Sequence, residues 1–574
     1  MEKDVTEQWK KYESLITYNS TFKPDYYEGI KAYYSFYNGD QWLGAKGDEK
    51  LPHPVFNVIK RTVEFDIASL SNSNIAVNVE PLEYNSAGIS EQQINVSNFV
   101  NSEIKNIFEK WNMRVKKKDL LLDAAITGDM CAHIIFDQTK KPYRGYEQNG
   151  ELDIELIDST NIGFGNPNIR DVQKQPWIIV IGRDMVKNLK EEAKLYRNKA
   201  SDEESIAPDY TTEYQSTNYA NTEIEIEEDD EKKALYIYIY EKKKGSVFVS
   251  KCTKDAVIFQ DIDMQIDRYP IAFANWFKQK NTFHGRGMVE GIIPNQISIN
   301  KMFAMVIYHL MMTAFPTAVY DKDVLKSWNN ELGTAFGLER LNGRSIKDVA
   351  GYLEPANMSQ WIMSAIETMV QYTKEFLGVS DAALGQIDPK NTSAIIAVQK
   401  STAIPLENIK DNLYDLIEQV VLILLDMMAS KYGKRPVVLL NKDGSRTVQE
   451  FDFSLLKDMD LKTSVDVGET SYYSEIAAVQ TMDNLLQNGL IEMIDYLERI
   501  PKELIPRKDE LISKLKEKEQ ASKQEGYEQM AQFIQTLPPQ MQQQLTGILQ
   551  NGWDVVSAAQ PEVSGALVSP IMQE

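Results

Sequence analysis

Few residues in this chain stand where catalysis would need them. Cys131-Ala-His133 offers two metal-binding side chains, but a structural zinc site needs four ligands and no second Cys/His pair lies nearby. In an alternating, strand-like stretch those two read as packing residues. Asp261-Ile-Asp263 is a DxD triplet that could hold a divalent cation beside a nucleotide-sugar, which would make the chain a metal-dependent transferase acting through Asp261 and Asp263. Such triplets arise easily by chance. Gly163-Phe-Gly165 and Gly285-Arg-Gly287 lack the third glycine of a dinucleotide site, and no P-loop pattern occurs. The remaining chemistry is that of contact: the polar stretch after Gly378 carries Ser380, Asp381, Gln386, Asp388, Lys390 and Asn391. That set can repel or briefly hold phosphates but has no nucleophile paired with a base. No catalytic residue, metal or cofactor is assigned.

Two helix-patterned segments must position that polar stretch. Ile362, Ile366, Met369, Val370, Phe376 and Leu377 recur at three- and four-residue intervals, and Gly378 is a natural stop. On the other side, Thr392 or Ser393 can cap a helix reaching about residue 430, kinked at Pro405, with Leu406, Ile409, Leu413, Leu416, Val420 and Leu424 on one face. A helix of about 39 residues spans on the order of 58 Å, more than a compact domain needs. It reads as a spine in a large assembly.

Residues 302–320 contain no Asp, Glu, Lys or Arg, which is nearly membrane-span length and raises the alternative of a membrane-associated adaptor anchored there. Against it, Pro316 should end the helix, His309 sits inside it, and Asn295, Gln296, Ser298 and Asn300 continue it backwards. A buried helix fits better. The next segment, to residue 353, has strand-like ends at 317–320 and 349–353 around an expected helix near 322–331. Its basic residues Lys322, Lys326, Arg340, Arg344 and Lys347 make it less acidic than the rest and able to meet DNA or an acidic partner.

The chain's 574 residues predict three or four structural units, and 43% hydrophobic with 25% charged content is globular. Two cysteines, Cys131 and Cys252, make no disulfide framework, so a reducing cytosol during synthesis is expected, and the N-terminus has no apolar signal region. A net charge of -22 argues against a sequence-reading DNA binder yet allows a conduit whose walls must not hold phosphates. Twelve residues between 201 and 231 are Asp or Glu with no Lys or Arg, which reads as a solvated insertion. The remaining pattern is mixed. Helices are expected over 1–50, 55–70, 90–111 and 114–127, and strands at 76–80, 131–137, 152–157, 177–181, 234–240, 246–250 and 256–259. Past the spine, a hairpin over 436–453 and a strand at 464–467 precede helices over 475–487, 490–498 and 506–536, then a Gln-rich end prone to disorder. The class is α+β, mainly helical.

Several pieces in this order resemble tailed-bacteriophage portal proteins. A helix, then Gly378-Val-Ser-Asp-x-x-Leu-Gly385, then Thr392-Ser-Ala opening a long kinked helix, is similar to that family's stem, tunnel loop and spine. Tyr33-Tyr-Ser-Phe-Tyr-Asn-Gly-Asp-Gln-Trp42 resembles its aromatic-Gly-x-Gln-Trp opening, and Pro54-Val-Phe-Asn-Val-Ile-Lys60 the segment that follows. Asp123-Ala-Ala-Ile-Thr-Gly-Asp129 resembles a later helix with its turn, and Tyr269-Pro-Ile271 and Gln296-Ile-Ser-Ile-Asn300 the entry to the first stem helix. The resemblance runs from residue 30 to 430.

It implies a ring subunit with a wing (1–285), a first stem helix (286–313), a clip (314–353), a second stem helix (354–378), a tunnel loop (379–391), a wing spine helix and hairpin (392–470), a helical crown (471–550) and a tail (551–574). The implied function is that of a homo-oligomer, a dodecamer, at a unique capsid vertex through which double-stranded DNA is packaged and ejected without sequence specificity. Twelve copies would carry roughly -260 charges before counterions bind. Implied partners are the major capsid protein, the terminase motor and tail or head-completion proteins, with no membrane. The place would be the virion, after assembly in the host cytoplasm. In the tunnel loop Asp381 and Asp388 would repel the DNA backbone, and Lys390, Gln386 and Asn391, with Ser380 beside them, would touch phosphates. The basic clip residues would face docking partners.

Overall fold

The structure is a computed structural model that describes residues 2–22, 26–42, 52–71, 75–82, 91–138, 140, 150–196, 205–208, 232–314, 318–329, 336–353, 359, 361–376, 392–440, 446–459, 461–467, 482–489, 491, 493–500, 508, 511–516 and 518. Two units divide the chain, Met1–Gly468 and Glu469–Glu574. The second is described as short helical pieces, among them Met493–Arg499, where Leu497 is buried.

The first unit begins with helices α1 (Glu2–Phe22), α2 (Tyr26–Asn38) and α3 (Val58–Ser71). Tyr26, Ile30, Tyr33 and Phe36 of α2, and Ile59, Val63 and Leu70 of α3, bury one stripe each at helical spacing. Strand β1 (Ile75–Pro81) leads to α4 (Glu91–Lys110) and α5 (Met113–Thr127). Helix α5 ends at Gly128, whose φ of 106° only glycine adopts without strain.

Strands β2 (Asp129–Asp137), β3 (Glu151–Leu156), β4 (Ile162–Phe164) and β5 (Trp177–Met185) precede α6 (Val186–Leu195). Then come β6 (Lys233–Lys243), β7 (Ser246–Thr253), β8 (Val257–Asp263) and β9 (Ile271–Asn275). They form two antiparallel sheets, ordered β3-β2-β9 and β4-β5-β6-β7-β8. Alternation along β6 divides its faces. Ile237 and Ile239 join Ile179, Cys252 and Val257 in a small core closed by Trp9 and Tyr12 of α1. On the opposite face Tyr236 and Tyr238 flank the Lys251 ammonium at 4.2 and 4.8 Å, and the Tyr240 hydroxyl lies 2.8 Å from His133 Nε2 on β2.

After α7 (Met288–Ala314) the chain makes β10 (Ala318–Tyr320), α8 (Ile346–Val349) and β11 (Ala350–Tyr352), then α9 (Trp361–Phe376) and the 40-residue α10 (Thr392–Lys431). The C-terminal half of α10 is the centre of the main core: Leu413, Leu416, Ile417, Val420, Val421, Leu424 and Met428 are all buried. It docks along β9, where Gln419 accepts from the Phe273 amide and donates to its carbonyl, closing the edge of the three-stranded sheet. Strands β12 (Lys434–Leu440) and β13 (Arg446–Asp452) form the hairpin, and β14 (Leu461–Val467) returns to pair with β1, Val465 opposite Val77.

Within the described residues the expected helices and strands appear, with differences; the helix expected over 506–536 lies almost wholly outside them. No helix forms over 321–329. Asp321 instead turns the chain, its side chain accepting from the Asp323 amide at 2.9 Å and its carbonyl from the Leu325 amide at 2.9 Å. Ile271, expected at a helix entry, opens β9, and α6 and β4 were not anticipated. The acidic run falls almost wholly outside the described residues.

Candidate functional site

The insertion between α7 and α9 is a small module. Strands β10 and β11 pair from Ala318–Tyr352 to Tyr320–Ala350, and Ser345 with Asp348 makes a capping box on α8. Trp328 stacks against Tyr320 and Phe336 at 5.9 and 5.5 Å and meets Tyr352 edge-on at 5.8 Å, over buried Val324, Leu325 and Val349. Arg344 pairs with Asp321 at 3.0 Å and Lys326 with Glu339 at 3.1 Å. Lys322, Arg340 and Lys347 are exposed, and no ion pair reaches them among the described residues. Residues 314–353 hold five basic and five acidic side chains, so this module is neutral in a chain of charge -22.

Helix α7 has two different halves. Its first half buries Met288, Val289, Ile292, Gln296, Ile299 and Asn300 in the unit. From Met305 onward most side chains emerge: Met305, Tyr308, Leu310, Met311 and Met312 are exposed, Met305 by 61% and Leu310 by 55%. Its partner α9 buries Ile366 and Thr373, the latter bonded to Asn295 at 3.3 Å, but leaves Trp361 82% exposed together with Met363 and Tyr372. The pair carries a long apolar surface that the rest of the described chain does not cover.

Motif segments far apart in sequence meet in two buried polar clusters. In one, the carboxylate of Asp129 accepts from Asn275 Nδ2 and the Gly285 amide, each at 2.7 Å, and lies 2.8 Å from His284 Nδ1; the other ring nitrogen lies 3.1 Å from Asn19 Oδ1. The backbone at Gly128 runs so close to Gly285 that a Cβ there would sit 2.7 Å from its carbonyl carbon and oxygen. In the other, Gln41, Gln296 and Asn300 bond to one another and to the segment around Phe56. Nothing in the chain's periodicity points to His284 or Gln41; Gln41 stands in the aromatic-Gly-x-Gln-Trp motif, and no sequence signal marks His284. Two acids away from these clusters are also shielded, Asp66 buried and Asp123 half-buried. Burial raises the Asp66 carboxyl to about 7, and burial with Asp158 nearby raises Asp123, which accepts from Tyr34, to about 7.

The catalytic candidates do not assemble. Cys131 and His133 lie in β2, the thiol pushed well up by burial, with His133 held by Tyr240. Asp261 pairs with Lys243 at 2.6 Å, while Asp263 accepts from the Ser246 hydroxyl and, at 2.8 Å, from the Gln265 amide. Among the described residues, no group of three or more His, Cys, Asp or Glu side chains could hold a metal ion. A cavity of about 130 Å³ beside α4 is lined by Glu103, Lys110, Trp111, Glu151, Tyr432 and Arg435; Lys110 pairs with Glu151, and the Arg435 guanidinium lies over the Tyr432 ring at 4.0 Å. Ser380, Asp381, Gln386, Asp388, Lys390 and Asn391 fall outside the described residues.

A protein family described as "Phage P22-like portal protein" matches residues 15–560, nearly the whole chain. No curated protein matches it.

Proposed function

The chain belongs to the P22-like phage portal protein family, whose members are structural rather than enzymatic, and from that premise we propose that its copies close into a twelve-subunit ring at one capsid vertex. Double-stranded DNA is pumped in through the ring and later leaves through it. The terminase motor docks on the ring during packaging, tail or head-completion proteins afterwards, and the major capsid protein surrounds it in the virion. Assembly takes place in the host cytoplasm.

The observation that carries this reading is the uncovered half of the α7–α9 pair. Burying a large apolar side chain stabilises by about 1.5–3 kcal/mol. Eight such residues left exposed on adjacent helices fit a surface closed by neighbouring copies. In this arrangement α7 and α9 are the stem, 314–353 the clip, 379–391 the tunnel loop, the sheets and α10 the wing, and 471–550 the crown. Asp381 and Asp388 keep phosphates from sticking, Lys390, Gln386 and Asn391 with Ser380 touch them transiently, and the free basic residues of the clip meet DNA or acidic partners.

A membrane anchor fits less well, although α7 has mean hydropathy 1.2 over 18 residues. Its first half is fixed in the unit by Gln296 and Asn300. The part beyond Asn300 spans only about 21 Å, against a hydrocarbon core of about 30 Å. For the transferase reading, the Lys243 and Ser246 contacts already occupy the two carboxylates.

Electron microscopy of the purified full chain tests the proposal. Closed rings with a central hole are expected; a monodisperse monomer at micromolar concentration would refute it.

A further inference from the structure

The amides that join α7 to the α2–α3 connection form a continuous relay. Gln41 Nε2 donates to the Phe36 carbonyl at the end of α2 at 2.8 Å, and its Oε1 accepts from Asn300 Nδ2 at 2.7 Å. Asn300 Oδ1 accepts from Gln296 Nε2 at 3.0 Å and from the Phe56 amide at 3.3 Å. Gln296 also donates to the Phe56 carbonyl at 2.7 Å and accepts from the first amide of α3, Val58, at 3.1 Å. All three side chains are buried, Gln296 completely. Rotating any amide by a half-turn would set donor against donor, so the relay has one arrangement.

The weakest stretch of α7 runs into this relay. Pro294 gives no N–H to the helix ladder, Ser298 turns its hydroxyl back onto the Pro294 carbonyl at 3.0 Å, and Gly291 has open space where a side chain would be. After the relay only Ala304 and Val306 of α7 are buried. Phe303 still stacks on Phe56 at 3.9 Å beyond it, so among the described residues the relay is the last polar attachment between the unit and the projecting half of the helix.

We propose that residues 291–298 are a hinge and the Gln41–Asn300–Gln296 relay its latch, holding the outer half of α7, with α9 and the insertion beyond, at one angle to the sheets and α10. Opening the latch lets that projection swing while the core stays folded. The inference rests on these contacts and not on the ring.

Hydrogen exchange of the full chain, resolved by peptide, tests it. Asn300→Leu should raise exchange about tenfold or more over 296–314 and 52–58, and leave 413–428 and 177–185 unchanged. Unchanged exchange over 296–314, or an equal rise everywhere, overturns the latch. Should Asn300→Leu fail to fold, Gln41→Met removes the outermost link, and the same pattern is required of it. Pro294→Ala, which restores the missing N–H, should reverse at least part of the rise over 296–314; no reversal overturns the hinge.

Discussion

Helices α7 and α10 are both long and apolar, and the chain treats them oppositely. The C-terminal half of α10 packs against β9, β2, β14 and the turn after β13, and each large side chain from Leu413 to Met428 on its inner faces is buried. Among the described residues the outer half of α7 has less cover, with Phe303 stacked on Phe56 and α9 alongside, and Met305, Leu310, Met311 and Met312 stand in solvent. Composition does not separate these two fates. What separates them is whether the same chain supplies the cover. The enclosed helix stabilises the chain itself, and under the proposed function the uncovered one offers its apolar surface to other copies.

The sharpest way to break this comparison is to put the same charge on both helices. Leu416→Asp buries an unpaired carboxylate in a site with no exposure and should prevent folding, at a cost of several kcal/mol. Leu310→Asp should leave the circular dichroism spectrum and the unfolding midpoint nearly unchanged, yet abolish higher oligomers in sedimentation velocity. If Leu310→Asp unfolds the chain or leaves oligomers intact, the division of labour between the helices fails.

Next in size is Gly128→Ala. The left-handed φ alone disfavours a side chain, and a Cβ 2.7 Å from the Gly285 carbonyl would force apart the backbones that carry Asp129 and His284. A loss of about 3 kcal/mol or more in urea unfolding is expected. An Ala variant within about 1 kcal/mol of the parent would mean that the two loops are not packed this closely.

The pH dependence of the subunit should carry the mark of Asp66 and Asp123. For Asp66 the folded value near 7 stands above the unfolded value of 3.8. Below pH 3.8 both states hold the proton. As pH rises from about 4 to 7 the unfolded state releases it while the folded state keeps it, so stability falls across that window and levels above it, by a few kcal/mol in all. Asp66→Asn should flatten the difference in urea midpoint between pH 5 and pH 8, leaving the slope that Asp123 contributes in the same direction. An unchanged slope would place Asp66 in contact with water or a partner that the structure does not give it.

Local patterns were legible before the fold was known, and long-range ones were not. The α10 stripe, the alternation of β6 and the β12–β13 hairpin follow from periods of 3.6 and 2, which neighbouring residues carry by themselves. The stretch after Tyr320 is helical by propensity but forms no helix, because two things outweigh it: the Asp321 turn, and Trp328 settling between Tyr320 and Phe336. Pairing of β1 with β14 joins segments nearly 400 residues apart, and no local pattern encodes it. The site was legible to the same degree. The basic residues of the insertion were readable as types, but which of them would be used up in ion pairs was not. Motif identity located Gln296, Asn300 and Asp129, and only the structure gives them a physical task.

Outside the described residues, the loop charges offer a test on function rather than stability. Asp381→Lys with Asp388→Lys should slow or stall DNA packaging while rings still assemble. Normal packaging yield would count heavily against a channel-facing loop.

The smallest energetic effects belong to the insertion, where they separate docking from folding. Arg344→Ala breaks an ion pair whose partners are 57% and 31% exposed, so solvent screening limits the loss to about 0.5 kcal/mol. Lys322, Arg340 and Lys347 have no ion pair to lose among the described residues, and their joint reversal to Glu should leave the unfolding free energy within about 0.5 kcal/mol of the parent. It should nevertheless weaken binding of an acidic partner or of DNA, more so at low salt, because like charges then meet across the surface. The informative measurement is therefore the pair of variants side by side. If the charge reversal costs more stability than Arg344→Ala, the three residues serve the module's own fold. If it costs less and still weakens docking in a salt-dependent way, their charge is directed outward, as the uncovered face of α7 and α9 is.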